Sequence, residues 1–121
     1  IMASILRVNT LTDASSNNST AMSTINQGTA KAWGNLNGTS TISLDDSFNV
    51  GSVTDNGTGD YRFTYSNAFS SSNNSAQGTS YAVHTQNYDN NSAYAELRTY
   101  GSATTAFDPA IVNIAVFGDL A

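Results

Sequence analysis

The clearest period along this chain is two. Tyr61, Phe63 and Tyr65 alternate with Arg62 and Thr64, giving an extended segment one aromatic face and one polar face. Phe48, Val50 and Val53 lie on the far side of Asp55-Asn56-Gly57-Thr58-Gly59-Asp60, and the spacing predicts a hairpin over residues 47–66. Asn56-Gly57 offers the positive φ angles of the reversal, and Gly59 suits a bulge beside it. Upstream, residues 29–36 (TAKAWGNL) predict a strand ended by Asn37-Gly38. Residues 39–44 (TSTISL) return beside it, with Ile42 and Leu44 on one face. Trp33, in a regular strand, is expected in the core.

Residues 67–78 (NAFSSSNNSAQG) read as a polar loop whose only large apolar residue is Phe69. Residues 79–88 and 93–101 predict a second hairpin around Asp89-Asn90-Asn91-Ser92. Tyr81 and Val83 share a face there, as do Ala95 and Leu97, while Tyr94, Glu96, Arg98 and Tyr100 line the wetter one. Asp108-Pro109 marks a turn. Residues 111–117 (IVNIAVF) are apolar on both faces except at Asn113, which predicts a central strand. The beginning differs: ASILRVNTL can form one strand, but residues 12–23 (TDASSNNSTAMS) follow no period. The expected division is an extended N-terminal arm over residues 1–27 and a β domain over residues 28–121. No repeat of fixed period is present.

Composition narrows the fold class. Asn, Ser, Thr and Gln supply 50 of 121 residues, whereas Leu, Ile, Val and Phe supply only 23. Strong helix formers are scarce and Thr, Tyr and Phe favour pleated surfaces, so the chain reads as all-β with a thin core. No apolar run approaches the roughly 18 residues of a membrane span, and the first residues lack the pattern of a signal peptide. The absence of cysteine excludes disulfides, thiolate metal sites and thiol catalysis. Four scattered cations (Arg7, Lys31, Arg62, Arg98) against nine acids make no phosphate-tracking surface, so no nucleic-acid partner is expected.

Candidate chemistry is sparse. His84 is the only histidine, and no Gly-x-Ser-x-Gly elbow surrounds any serine, so it reads as a strand histidine. Asp45-Asp46 point to opposite faces of an extended chain, and Asp55 and Asp60 flank a turn where aspartate is ordinary. Neither Asp55–Asp60 nor Asp89-Asn90-Asn91 has the spacing of a calcium loop, so no metal or cofactor is expected. The Asn-x-Ser/Thr triplets are expected by chance in so polar a chain. Tyrosine is more informative: Tyr81, Tyr88, Tyr94 and Tyr100 near the second hairpin suit either a recognition surface or cross-strand pairing.

The residues also carry a resemblance. Lys31-Ala32-Trp33, Asn37-Gly38-Thr39, Ser47-Phe48-Asn49-Val50 and the run from Thr54 to Tyr61 resemble a module of virion structural proteins of tailed bacteriophages, marine and cyanobacterial ones especially. The opening SILRVNTLTDASSNN and closing VNIAVFGD are similar to the ends of short proteins of this group, from which the chain departs at Gly34 and Leu36. The resemblance implies a tail-fibre-like protein on the virion and no enzyme. The fold expected is an antiparallel β-sandwich, jelly-roll-like and trimeric, with the N-terminal arm docking to other virion proteins or intertwining with neighbours.

A thin core agrees with a subunit that buries edges and aromatics against two further copies. The expected function is host attachment as a tail fibre or spike protein, with a host surface polysaccharide as ligand at Tyr88, Asp89, Asn90, Asn91 and Tyr94. A capsid decoration protein is the alternative, favoured by a chain too short for a long shaft. A glycan-degrading enzyme, through Asp55, Asp60 or Glu96, is the third reading.

Overall fold

The structure is a computed structural model that describes residues 3–82 and 84–121. Eight strands of the β domain form two four-stranded antiparallel sheets. The first has the order β4 (Ser43–Phe48), β3 (Ala32–Asn37), β10 (Val112–Phe117), β7 (Ser75–Ser80). The second has the order β5 (Val50–Gly57), β6 (Asp60–Tyr65), β9 (Tyr94–Tyr100), β8 (His84–Asn90). Alternation decides what each strand buries. In β6 it is Tyr61, Phe63 and Tyr65, in β9 Ala95 and Leu97, in β3 Ala32 and Leu36, and in β10 Val112, Ile114 and Val116. These side chains from both sheets belong to one apolar cluster, which Phe69 closes with its ring edge-on to Tyr65 at 4.9 Å. As the apolar pattern on both faces, interrupted only at Asn113, predicts, β10 is central, between β3 and β7.

Several sequence expectations are corrected. Residues 47–53 are not one strand: Asn49 adopts a left-handed φ of 55° and carries the chain from the edge of the first sheet to the edge of the second. Its side chain holds that corner. Nδ2 donates to Lys31 O (3.1 Å) and Asn67 O (3.0 Å), while Oδ1 accepts from the Asn67 backbone N–H at 2.7 Å. Residues 79–88 likewise divide between sheets, β7 ending at Ser80 and β8 beginning at His84. The supposed loop before them supplies the first half of β7, an edge strand with only Ala76 buried and therefore no apolar alternation to announce it. Tyr81 is 77 % exposed at the crossing; its expected face-mate Val83 lies outside the described residues, as do Ile1 and Met2.

Trp33 is not in the core. Its neighbours Ala32, Gly34 and Leu36 face inward, so Trp33 faces out, 38 % exposed, opposite Phe48 of β4 at 53 %. The β5–β6 reversal also differs in detail. Thr58-Gly59 forms the two-residue turn, with Gly59 at φ 67°, and the bulge falls at Asn56. Three hairpins of sequence neighbours, β3–β4, β5–β6 and β8–β9, lie within the sheets, an order unlike the interleaved winding of a jelly roll.

The N-terminal segment is more ordered than its lack of period suggests. β1 (Thr10–Thr12) and β2 (Ser19–Ala21) form a hairpin, followed by α1 (Met22–Gly28). Asp13 ties the turn together by accepting from Asn18 Nδ2 (2.7 Å), Ser15 Oγ (2.9 Å) and the Asn17 N–H (3.0 Å). The Asn18 and Ser15 bonds hold its carboxyl below the ordinary aspartate value. Lys31 Nζ donates to the carbonyls of Asn26 and Thr29, where the helix dipole favours a cation. Among the described residues of this segment none is buried, and Ile5, Leu6, Val8, Leu11 and Met22 all stand exposed.

Asn49→Ala strands the Lys31 and Asn67 groups and puts Ala in a left-handed conformation, so urea denaturation should show a loss of about 2–4 kcal/mol. Asn49→Gly should lose about 1 kcal/mol less, because glycine accepts the angle. Burial, with the Asp108 hydrogen bond, pushes the Tyr61 phenol far above its ordinary value, and burial alone does so for Tyr65. Folding therefore favours the neutral phenols: stability is unaffected by them below about pH 10 and falls as the pH rises above it, where the unfolded chain ionises first. Absorbance titration should show Tyr61 and Tyr65 ionising only with unfolding. Tyr65→Phe, which removes a buried hydroxyl that has no partner among the described residues, should keep its stability at neutral pH and soften the alkaline loss.

Candidate functional site

The outer face of the second sheet concentrates the polar chemistry of the domain. Register sets two rows across it. Arg62 of β6 lies opposite Glu96 of β9, which lies opposite Asp89 of β8; Asp60 lies opposite Arg98, and Arg98 opposite Gln86. Asp89 reaches this face because of a bulge. The register shifts between Asn87 and Asp89, so Tyr88 is an extra residue and the alternation resets behind it.

The side chains form a linked set. Arg62 donates from Nη2 (2.8 Å) and Nε (3.0 Å) to Glu96 Oε2, and its guanidinium lies 4.2 Å from the centre of the Tyr94 ring. The Tyr94 hydroxyl donates to Asp89 Oδ2 at 2.8 Å. Arg98 donates from Nε to Asp60 Oδ2 at 3.0 Å and stacks on Tyr88, 3.1 Å from its ring centre. Glu96 is only 4 % exposed, so its charge depends on the Arg62 bond for compensation. That bond in turn strengthens Arg62's hold on its proton, and the Asp89 hydrogen bond raises the Tyr94 phenol above its ordinary value. Two aromatic rings braced by guanidinium groups, with carboxylates between them, can stack on a flat apolar ligand face and hydrogen-bond to its hydroxyls.

Of the five residues singled out in the sequence, this face brings together Tyr88, Asp89 and Tyr94. Asn90 and Asn91 hold backbone instead, Asn90 in the segment before β7 and Asn91 in the adjoining turn. Asn90 Nδ2 donates to Asn74 O at 3.0 Å, and Asn91 Oδ1 accepts the Ala93 (2.8 Å) and Tyr94 (3.0 Å) N–H groups. Glu96 and Arg98, which alternation alone puts on the wetter face with Tyr94, join them, as do Asp60 and Arg62 of β6; none of the four is among the five residues expected to bind a ligand. Opposite charges on alternating positions of two neighbouring strands were the available signal.

The other candidate groups have local partners. Asp55 Oδ1 accepts the Gly57 N–H (2.9 Å), Asp46 Oδ1 the Ser47 N–H (2.8 Å), and Asp45 Oδ1 the Ser43 hydroxyl (3.1 Å). His84 stands exposed with its ring 5.7 Å from that of Tyr100. Among the described residues no three His, Cys, Asp or Glu side chains are placed to share a metal ion, and no helix is long and apolar enough to cross a membrane. An open cavity of about 550 Å³ lies at the β7–β8 crossing, lined by Ser80, Tyr81, Ala82, Gly101 and Phe107, with no charged group. Comparison of the chain with protein-family models, with curated proteins and with solved structures found no match.

Arg62→Leu leaves the Glu96 carboxylate buried and uncompensated, and should lower the urea midpoint more than Glu96→Gln does. In a double-mutant cycle the Arg62→Leu loss should shrink when Glu96→Gln is already present. Equal losses in both backgrounds would show that the pair is not coupled.

Proposed function

We propose that this chain is a virion structural protein of a tailed bacteriophage, of the tail fibre or spike class. In this reading its two sheets form a β-sandwich, three copies assemble, and the Tyr88–Tyr94 face contacts a host surface glycan. The observation that carries the reading is that face: two tyrosine rings, each braced by an arginine, with Asp60, Asp89 and Glu96 among them. Stacking rings with hydrogen-bonding groups at their edges suit a ligand made of apolar ring faces and hydroxyls.

Assembly is supported by the apolar surface a single copy leaves open. Trp33 and Phe48 oppose each other on the outside of the first sheet, and the N-terminal segment exposes Ile5 and Leu6 at 73 % and 78 %. Burying such residues against a second copy would remove apolar surface from water. The same exposed segment suits a staple on a phage head, so capsid decoration is the second reading.

Light scattering on the purified chain should give three times its 12.7 kDa mass. A Tyr88→Ala, Tyr94→Ala double variant that keeps its far-ultraviolet circular dichroism should lose binding to host cells and to their extracted surface polysaccharide. A monomeric mass together with unchanged binding by the variant would sink the proposal. Position on the virion by cryo-electron microscopy, on the tail or on the head, separates the two readings.

A further inference from the structure

The chain contains two Asn-Gly pairs, Asn37-Gly38 and Asn56-Gly57, and the structure places them in opposite surroundings. Asn-Gly is the dipeptide in which the following backbone nitrogen most readily attacks the asparagine side chain, because glycine offers no Cβ to hinder it. Whether it does so in a folded protein depends on room, on freedom of the side-chain carbonyl, and on what holds the attacking N–H.

At Asn37-Gly38 all three oppose reaction. Asn37 Oδ1 is fixed by the Thr39 N–H (3.0 Å) and hydroxyl (2.7 Å). The Gly38 N–H is spent on Pro109 O at 3.0 Å, a carbonyl that cannot take a proton. Gly38 itself is buried, and a Cβ there would lie 2.5 Å from the Tyr61 hydroxyl and 2.8 Å from Pro109 O. At Asn56-Gly57 all three favour it. Both residues are exposed on β5, an edge strand, and Asn56 is the bulged residue, without a partner between the pairs Asp55–Tyr61 and Gly57–Asp60. A Cβ on Gly57 would meet nothing within 4 Å. The Gly57 N–H donates to Asp55 Oδ1 at 2.9 Å, so the group on the nucleophile is a carboxylate able to receive its proton.

We propose that Asn56 is a site of spontaneous, self-catalysed deamidation in the folded protein, and that Asn37 is protected. The Gly57 nitrogen forms a bond to the Asn56 side-chain carbonyl carbon while its proton passes to Asp55. The C–N bond to the side-chain amide breaks, and ammonia leaves with that proton. The cyclic imide then takes up one water, giving aspartate or isoaspartate at position 56. Each event adds one negative charge to a chain of net charge −5, beside Asp55. The unpaired bulge at an edge strand can hold the longer isoaspartyl backbone without breaking a ladder bond.

The test is peptide mapping by mass spectrometry of the full chain incubated at mildly alkaline pH, folded and in urea. In the folded protein conversion at Asn56 should exceed that at Asn37 by at least about tenfold, a barrier difference of about 1.4 kcal/mol. In urea the two rates should converge. Asp55→Ala should slow conversion at Asn56 in the folded state and leave Asn37 unchanged. Comparable rates at both sites in the folded chain, or a difference that persists in urea, would overturn the assignment; faster conversion in Asp55→Ala would overturn the role of the carboxylate.

Discussion

The domain depends on a few large side chains of one sheet entering spaces that the other leaves open. With only 23 Leu, Ile, Val and Phe residues, the chain cannot fill a wide gap between its sheets. Phe63 lies against Gly34, Leu97 against Gly78, and the Tyr61 hydroxyl against Gly38. A Cβ at Gly78 would come within 2.6 Å of Leu97, which is fully buried and has nowhere to move. Close approach over glycines lets the few large side chains of a thin core make contact with the other sheet. It also places tyrosine inside: the Tyr61 hydroxyl donates to Asp108 Oδ1 at 2.8 Å, and that oxygen also accepts the Gly59 N–H at 2.6 Å. One aspartate thereby ties the β5–β6 turn to the segment before β10.

The tight interior has a consequence outside. Inward positions are taken by aromatic and aliphatic groups, so outward alternation on β6 and β9 leaves Arg62, Tyr94, Glu96 and Arg98 as neighbours on one face. A single extra residue, Tyr88, then brings Asp89 into line opposite Glu96. The cations of this face are held by carboxylates and rings, which restricts the rotamers of long side chains before any ligand arrives. Such preorganisation lowers the entropy lost on binding and suits the glycan-contact role proposed for the face.

Trp33 and Asn49 show the two ways in which sequence patterns mislead here. Trp33 is expected inside because it stands in a regular strand, but the face it occupies is decided by which neighbours reach the opposite sheet, and Ala32, Gly34 and Leu36 do so. Ser47-Phe48-Asn49-Val50 looks like continuous strand because Asn49 is a single polar residue among extended ones. Its left-handed angle is set by hydrogen bonds to Lys31 and Asn67, each 18 residues away. By contrast Phe69, alone in a polar stretch, was visible as an exception and proves to be a core residue.

Local chemistry alone determined the elements that depend on near neighbours: the alternation of Tyr61, Phe63 and Tyr65, the pairing of sequence neighbours in three hairpins, the central apolar strand and the all-β class. It misplaced the first hairpin's return strand, which begins at Ser43 after a loop over residues 38–42 and not at Thr39 after a tight Asn37-Gly38 turn. Period-two patterning and turn residues act over a few positions, so they are legible in one dimension. Three of the five residues expected to form a recognition surface also lie together, since Tyr88, Asp89 and Tyr94 flank one turn. Only tertiary structure decided which strands share a sheet, that β7 is a strand at all, that Trp33 faces outward, and that the polar faces of β6 and β9, with Arg62 and Arg98, adjoin. Each of those outcomes rests on contacts between residues distant in the chain, where the geometry of the partner strand decides and local preference does not.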